Sequence, residues 1–353
     1  LHLLREGLER IGVTGAGLKT SSHDELDGIT SAVVGRFYEI GQFQPMGIVP
    51  EAQLIVPVVP SLTFQKRMII CMAGNSGAGK SVTGFSIINL LSKTGYISRG
   101  KIWFEKSEIS SYSDAQMRKI RGDRISMIFQ DPMMTLNPVF TIGFQMVETI
   151  QAHRKISKAG AQKIALEKLK KVHIPSPEQR LGQYPHELSG GMRQRIIIAI
   201  SLLTDPAIII ADEPTTALDV TIQAEIMDLL QELCETDNMA LILITHDLGV
   251  VSQVTEKIAV MYAGKIIEYG STDQVVKHPV HPYTEGLIKS IPGTVIKPGE
   301  DLVQIPGMMP TLTNIPPGCA FNPRCYLKDD ICMTKTPELK DAGNSVLAAC
   351  HMK

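Results

Sequence analysis

Three short apolar runs punctuate the chain, and each stops abruptly at polar or charged residues. The first is Ile69-Ile70-Cys71-Met72-Ala73. It has no polar alternation, so it predicts a strand covered on both faces, as in a parallel sheet packed between helices. Ile208-Ile209-Ile210-Ala211 and the run from Ala240 to Ile244 repeat that pattern. Between the runs the period changes. VTGFSIINLL, residues 82–91, and IIIAISLL, residues 196–203, read as helices. In KAGAQKIALEKLKKVHI, residues 158–174, Ile164, Leu166, Leu169 and Val172 recur near helical spacing, and lysines occupy the solvated face. Strands alternating with helices predict an α/β fold. The opening LHLLREGLERIG predicts a short amphipathic helix with Leu4, Leu8 and Ile11 on one side. From residue 271 onward, Pro279, Pro282, Pro292, Pro298, Pro306, Pro310, Pro316 and Pro317 break regular structure and mark an extension of different character.

The residues that end the apolar runs carry the candidate chemistry. The first run leads straight into GNSGAGKS, residues 74–81, which has the form G-x-x-x-x-G-K-S. Gly74, Gly77 and Gly79 let the backbone curl around a phosphate, so Asn75, Ser76, Ala78, Lys80, Ser81 and Val82 join them as expected nucleotide contacts. The helix that begins near Lys80 adds its positive end. Lys80 would reach the β- and γ-phosphates, and the Ser81 hydroxyl would bind Mg²⁺. The second run ends in Asp212-Glu213. Ligands bind beyond the carboxyl ends of parallel strands, so both acids should face the site of Lys80. Asp212 is expected in the Mg²⁺ shell, and Glu213 as the base that orients and polarises the attacking water. The third run leads into Thr245-His246-Asp247, which places His246 at another strand end within reach of a γ-phosphate.

Leu188-Ser189-Gly190-Gly191-Met192-Arg193-Gln194-Arg195 is the most specific stretch. Ser189 is a natural N-cap, and the two glycines free the first amides of a helix to meet an anion. This octet closely resembles the signature of ABC-type ATPases. The order of the other motifs agrees: phosphate loop at 74, Gln130 in FQDP, signature at 188, DEPTTALD at 212–219, and His246. FQDPMMTLNPVFTIG, HPVHPYTEGLIKSIP and IPPGCAFNPRC are similar to stretches in the ATP-binding subunits of oligopeptide and dipeptide importers. The similarity spans roughly residues 62–353.

The resemblance implies an α/β fold: a P-loop ABC-type nucleotide-binding domain, with a RecA-like core and an inserted helical subdomain, plus a cysteine-bearing C-terminal extension. It divides the chain into an unassigned segment 1–61, an ATPase domain 62–270 with its helical subdomain at about 141–185, and the extension 271–353. It implies ATP and Mg²⁺ as cofactors and ATP hydrolysis coupled to import of dipeptides, longer peptides or nickel chelates. In that family two ATPase subunits close face to face. Ser189, Gly190 and Gly191 would then bind the ATP of a second, homologous subunit, with Asp219 at the seam; the family pattern favours a heterodimer, with a homodimer as the alternative. Gln130 would join the Mg²⁺ and the attacking water to two membrane-spanning permease subunits. An extracytoplasmic binding protein would deliver the cargo. The chain would lie peripherally on the cytoplasmic face of a bacterial or archaeal membrane.

Composition narrows the alternatives. The chain has 353 residues, 44% hydrophobic and 20% charged, with a net charge of -1. No global basic field suggests nucleic acid. ABC ATPases that act on DNA insert long coiled coils or zinc modules before the signature, whereas only about 106 residues separate Ser81 from Leu188. Translation-associated ABC proteins resemble tandem duplicates, and here there is one set of motifs. No apolar run reaches the 18 or so residues that span a bilayer. No secretory signal pattern opens the sequence, and Leu1 in place of Met reads as a start that lies upstream. The family's adenine-stacking aromatic has no recognisable counterpart; Phe37, Tyr38 and Phe43 are the candidates. Residues 1 to about 60 read as divergent, or as a truncated or shifted reading frame.

Cys71 and Cys234 lie in apolar contexts and are expected in the core. The other four, Cys319, Cys325, Cys332 and Cys350, read C-x5-C-x6-C-x17-C. A reducing compartment keeps them as thiols. Their spacing leaves zinc, an iron–sulfur cluster and free thiols all open. The resemblance implies a 4Fe-4S cluster on them.

Overall fold

The computed structural model describes residues 67–92, 95–131, 135–216, 218–291 and 304–353. The expected amphipathic start and the aromatics Phe37, Tyr38 and Phe43 lie outside these residues. Strand β1 (Ile69–Ala73) is followed by helix α1 (Lys80–Ile87). A small hairpin, β2 (Trp103–Phe104) and β3 (Ser107–Glu108), stands apart. β4 (Ile125–Ile128) leads into α2 (Ile142–His153), α3 (Lys158–Lys171) and α4 (Gly190–Ser201). Then come β5 (Ile208–Asp212), α5 (Val220–Asp237), β6 (Ala240–Thr245), α6 (Leu248–Val254), β7 (Lys257–Tyr262) and β8 (Lys265–Ser271). The C-terminal part contributes α7 (Thr272–Lys277), α8 (Pro282–Lys289), α9 (Asp330–Thr334), β9 (Lys340–Asp341) and β10 (Leu347–Ala348).

Eight strands form one sheet in the order β4-β5-β6-β1-β7-β8-β10-β9. β4, β5, β6, β1 and β7 pair in parallel, and β8, β10 and β9 continue antiparallel. The unbroken apolar runs follow from burial on both faces. In β5 and β6, Ile209 and Ala211 sit beside Leu241 and Leu243, and this row packs on the helical side with α2, α3, α4 and α5. Ile208, Ile210, Ile242 and Ile244 point to the other face, with Met72, Ala78 and Ile88. A strand sandwiched this way has no solvated row, which is why alternation is missing from the sequence.

Helix α1 ends earlier than the apolar period suggested. Asn89 turns left-handed at φ 51, and the Leu90 N–H reaches the Phe85 carbonyl at 2.8 Å, which closes the helix. The lysine-rich helix forms as expected: Ser157 caps α3 through the Gly160 N–H, and Ala161, Ala165 and Leu169 face the core. Cys71 and Cys234 are buried, with burial pushing both thiols up. Among the described residues, no helix is long and apolar enough to cross a membrane.

The proline-rich C-terminal part packs more tightly than its sequence suggests. β10 pairs with β8 through Leu347 opposite Tyr269 and Ala348 opposite Glu268. Tyr283, Leu287, Phe321 and Val346 share one buried cluster with Cys71, Ala73, Ile258 and Val260. Strand pairing and apolar burial therefore hold it. The turn into α8 is built around a buried carboxylate. Glu268 accepts the N–H groups of Val280 at 2.7 Å and His281 at 2.8 Å, and His281 Nδ1 accepts the Tyr283 N–H at 3.1 Å.

Burial pushes the His281 imidazole down from 6.5 to about 4. The unfolded chain takes up that proton as pH falls through 6.5, and the folded chain does not until about 4. Stability is therefore lost on acidification across this window, by about 3 kcal/mol from this residue. His281→Asn can cap the same turn without titrating. It should flatten that part of the pH dependence in denaturant titrations at pH 7 and 4.5.

Candidate functional site

The carboxyl ends of β1, β5 and β6 lie side by side because these strands are adjacent and parallel. Each therefore delivers its terminal polar residues to one edge of the sheet. Beyond β1 the loop curls tightly. Gly74 adopts φ +148, and a Cβ there would lie 2.4 Å from the Met261 carbonyl oxygen of β7. Gly79 caps α1 at φ 96. The Ala78 N–H donates to the Asn75 carbonyl at 3.2 Å, and the Gly264 N–H from the β7–β8 turn donates to Ala78 at 3.0 Å. Lys80 is buried, and its Nζ donates to the carbonyls of Gly74 at 2.7 Å and Asn75 at 3.1 Å. Burial lowers its pKa, while Glu213 and Asp212 act in the opposite sense.

Ser81 Oγ donates to Asp212 Oδ1 at 3.0 Å, so the hydroxyl of the loop and the acid of β5 already meet. Asp212 is buried, and its carboxyl is pushed up to about 6, chiefly by desolvation. Glu213 stands next to it with φ 46, a left-handed backbone uncommon for such a residue, and its N–H is pinned to the Ile244 carbonyl at 2.8 Å. Burial pushes the Glu213 carboxyl up. The hydrogen bond and charge of His246, with the Thr216 hydroxyl and Lys80, outweigh that and hold it below the usual range. His246 Nδ1 lies 3.0 Å from Oε1. Gln130 Nε2 donates to Oε2 at 2.8 Å, and Thr216 Oγ1 to the same oxygen at 3.1 Å. Glu213 is thus oriented through both oxygens and remains ionised at neutral pH.

Lys80, Ser81, Gln130, Asp212, Glu213 and His246, picked out along the sequence, converge here. The signature makes different contacts. Ser189 Oγ accepts the Met192 N–H as the cap of α4. Gly190 and Gly191 back onto Leu218 and Ile222; a Cβ on Gly191 would fall 2.9 Å from the Ile222 side chain. Asp219 caps α5 through the Ile222 N–H at 3.0 Å. Sequence reading missed two residues. Thr216 had a signal, a hydroxyl three positions after Glu213 in DEPTT. Tyr283, whose hydroxyl accepts the Asn75 N–H at 2.9 Å, had none.

The four tail cysteines occupy one small region. Burial pushes the Cys319 and Cys325 thiols up, and the neighbouring thiols add to it. The Cys319 N–H donates to the Cys332 carbonyl at 2.8 Å. Among the described residues, however, no group of three or more His, Cys, Asp or Glu side chains is arranged to hold a metal ion. The residues as placed do not fit the 4Fe-4S cluster expected on Cys319, Cys325, Cys332 and Cys350.

Comparison with known proteins agrees with the geometry. Residues 59–216 match the family model of the ABC transporter, and residues 267–332 that of the oligopeptide/dipeptide transporter, C-terminal region. The chain is 46% identical over 303 residues to the oligopeptide transport ATP-binding protein AppD of Bacillus subtilis (strain 168), covering 84% of this chain and 91% of that protein. It is 49% identical over 294 residues to the dipeptide transport ATP-binding protein DppD of the same organism, covering 83% and 88%. A putative peptide import ATP-binding protein of Brucella melitensis is 48% identical over 292 residues, covering 80% and 86%. Among solved structures, a dimeric ATP-binding cassette in a post-hydrolysis state bound to ADP and Pi superposes with a TM-score of 0.53 at 29% identity, covering 60% of this chain and 88% of that one.

Proposed function

Since the chain belongs to the ATP-binding subunits of oligopeptide and dipeptide ABC importers, we propose that its site hydrolyses ATP to drive peptide import, with the roles that follow. The single observation that carries the reading is the convergence of phosphate loop, paired acids and histidine on one sheet edge. Gly74 to Val82 wrap the phosphates, and Lys80 turns its ammonium from the loop carbonyls toward the β- and γ-oxygens. Ser81 and Asp212 are hard oxygen donors 3.0 Å apart, and Asp212 is a buried carboxylate whose main partner is a hydroxyl, so a divalent cation fits between them. Mg²⁺ bound there with Gln130 would neutralise charge on the phosphates. Glu213 takes the proton of the attacking water on a carboxylate oxygen that His246 and Gln130 hold in place. His246 then faces the γ-phosphate.

The contacts of Ser189 to Gly191 are with Met192, Leu218 and Ile222, which agrees with a composite site: they complete the site of a second ATPase subunit, with a homologous but distinct chain as the partner. Val139, Phe140 and Phe144 are exposed, and the two rings stack at 4.6 Å just before and within α2. An apolar patch on the helical side is where the permease subunits would dock, and it supports a peripheral position on the cytoplasmic face of the membrane. The double variant Phe140→Ser, Phe144→Ser should keep ATP binding and lose copurification with the permease pair by about 10-fold or more. The reading as a whole is tested by ATP-dependent peptide uptake in vesicles carrying the permeases, the second ATPase and a binding protein. No uptake with active partners would overturn it. The cluster reading on the tail cysteines keeps only their proximity in its support and enters no step. Anaerobic purification with iron and sulfide analysis tests it, and iron-free protein removes it.

A further inference from the structure

The hydroxyl of Tyr283 crosses 208 positions of sequence to accept the Asn75 N–H at 2.9 Å. Asn75 is the second residue of the phosphate loop. Tyr283 belongs to the C-terminal part and is fully buried. We infer that Tyr283 is a positioning residue of the phosphate loop, through which the C-terminal extension sets ATP affinity. The inference rests on the ATPase reading and deepens it.

Three features hold that hydroxyl in place. The ring packs edge-on against Tyr262 at 4.7 Å and Phe321 at 5.6 Å, and Tyr262 meets Phe321 at 5.3 Å. Phe321 lies between Cys319 and Cys325 in CAFNPRC, so the cysteine-bearing loop touches the ring that touches the phosphate loop. The backbone of Tyr283 is anchored by His281 Nδ1, and the preceding turn by the buried Glu268 carboxylate. Arg324, from the same cysteine-bearing loop, donates to the Ile305 and Pro306 carbonyls at 3.3 and 2.7 Å. A second contact from the extension lands on the loop itself: Met309 Cε lies 3.0 Å from where a Cβ on Gly77 would be. Burial pushes the Tyr283 phenol up to about 12, so it stays a neutral hydroxyl.

The consequence for ATP is entropic. A glycine-rich loop is costly to order, and whatever orders it in advance lowers the cost left for the ligand. Tyr283 pins the first peptide of the loop and so restricts the conformations open to the loop before ATP arrives. It touches none of the reacting groups. Its loss should therefore weaken ATP binding and leave the chemical step alone, which a merely structural residue would not do selectively.

The test uses the full chain. In Tyr283→Phe the ring packing remains and the acceptor goes. Calorimetric Kd and steady-state KM for ATP should both rise about 5–10-fold, with kcat within about twofold of wild type. Kd and KM equal to wild type would overturn the inference, whether or not the melting temperature falls. Phe321→Leu loosens the ring from the cysteine side and should raise KM about threefold at unchanged kcat. If Tyr283→Phe fails to fold, that second variant decides alone, and an unchanged KM overturns the inference. A weakened Tyr283→Phe beside an unaffected Phe321→Leu would overturn the part given to the CAFNPRC loop. Wild type that neither binds nor hydrolyses ATP would sink the ATPase reading instead.

Discussion

Glu213→Gln is expected to bind ATP about as tightly as wild type and to hydrolyse it about 10²–10⁴-fold more slowly. The amide has the shape of the carboxylate, so Gln130, Thr216 and His246 can still contact it, and the fold should not change. What disappears is basicity. Glu213 is held ionised against its own burial by His246 first, then Thr216 and Lys80, and an amide cannot take a proton from water at all. The two halves of the effect should separate: kcat falls while ATP Kd does not. With turnover blocked, ATP should also accumulate a closed ATPase dimer, visible by size-exclusion chromatography with the partner subunit. Single-turnover hydrolysis is the decisive measurement. A kcat within tenfold of wild type would remove Glu213 from the role of base.

Gly74→Ala is expected to be the most damaging single methyl in the site. The added Cβ would sit 2.4 Å from the Met261 carbonyl oxygen, and φ +148 is a backbone conformation that side chains rarely adopt. Met261 belongs to β7, which is paired on both sides, so it has little room to retreat. The clash must be relieved by the loop, which is the part that binds phosphate. We expect a loss of about 3 kcal/mol or more of stability and at least a tenfold rise in ATP Kd. Gly100→Ala is the control. Gly100 also has a positive φ, +88, but nothing lies within 4 Å of its Cβ position. It should cost only about 1–2 kcal/mol, from the backbone alone. Equal losses in the two variants, measured by thermal and denaturant unfolding, would mean that the clash with β7 is not the cause.

These two positions show what was readable in advance. Glu213 was legible because a buried parallel strand has a plain signature, an unbroken apolar run, and its carboxyl end is where ligands bind. The same logic found Lys80, Asp212 and His246. Gly74 was legible as a loop glycine. The reason it must be glycine, the Met261 carbonyl, comes from a strand nearly two hundred residues away. The extension was the least legible part. Its prolines predicted broken regular structure, yet β10 pairs with β8 and Phe321 enters a buried aromatic cluster. The resemblance implied a cluster on its cysteines, and the described residues hold no group of three or more side chains arranged for a metal ion.

By itself, then, the sequence determined the fold class, the phosphate loop and the acid pair, because each is written in consecutive residues whose period or spacing has one cheap physical solution; the family came from resemblance of its motifs. Only the tertiary structure decided that Gln130, Thr216 and His246 share one carboxylate, and that the Tyr283 hydroxyl of the extension accepts the Asn75 N–H. Such contacts join residues from 3 to 208 positions apart, and the distant ones leave no local pattern: they exist only once the sheet has brought its strand ends together.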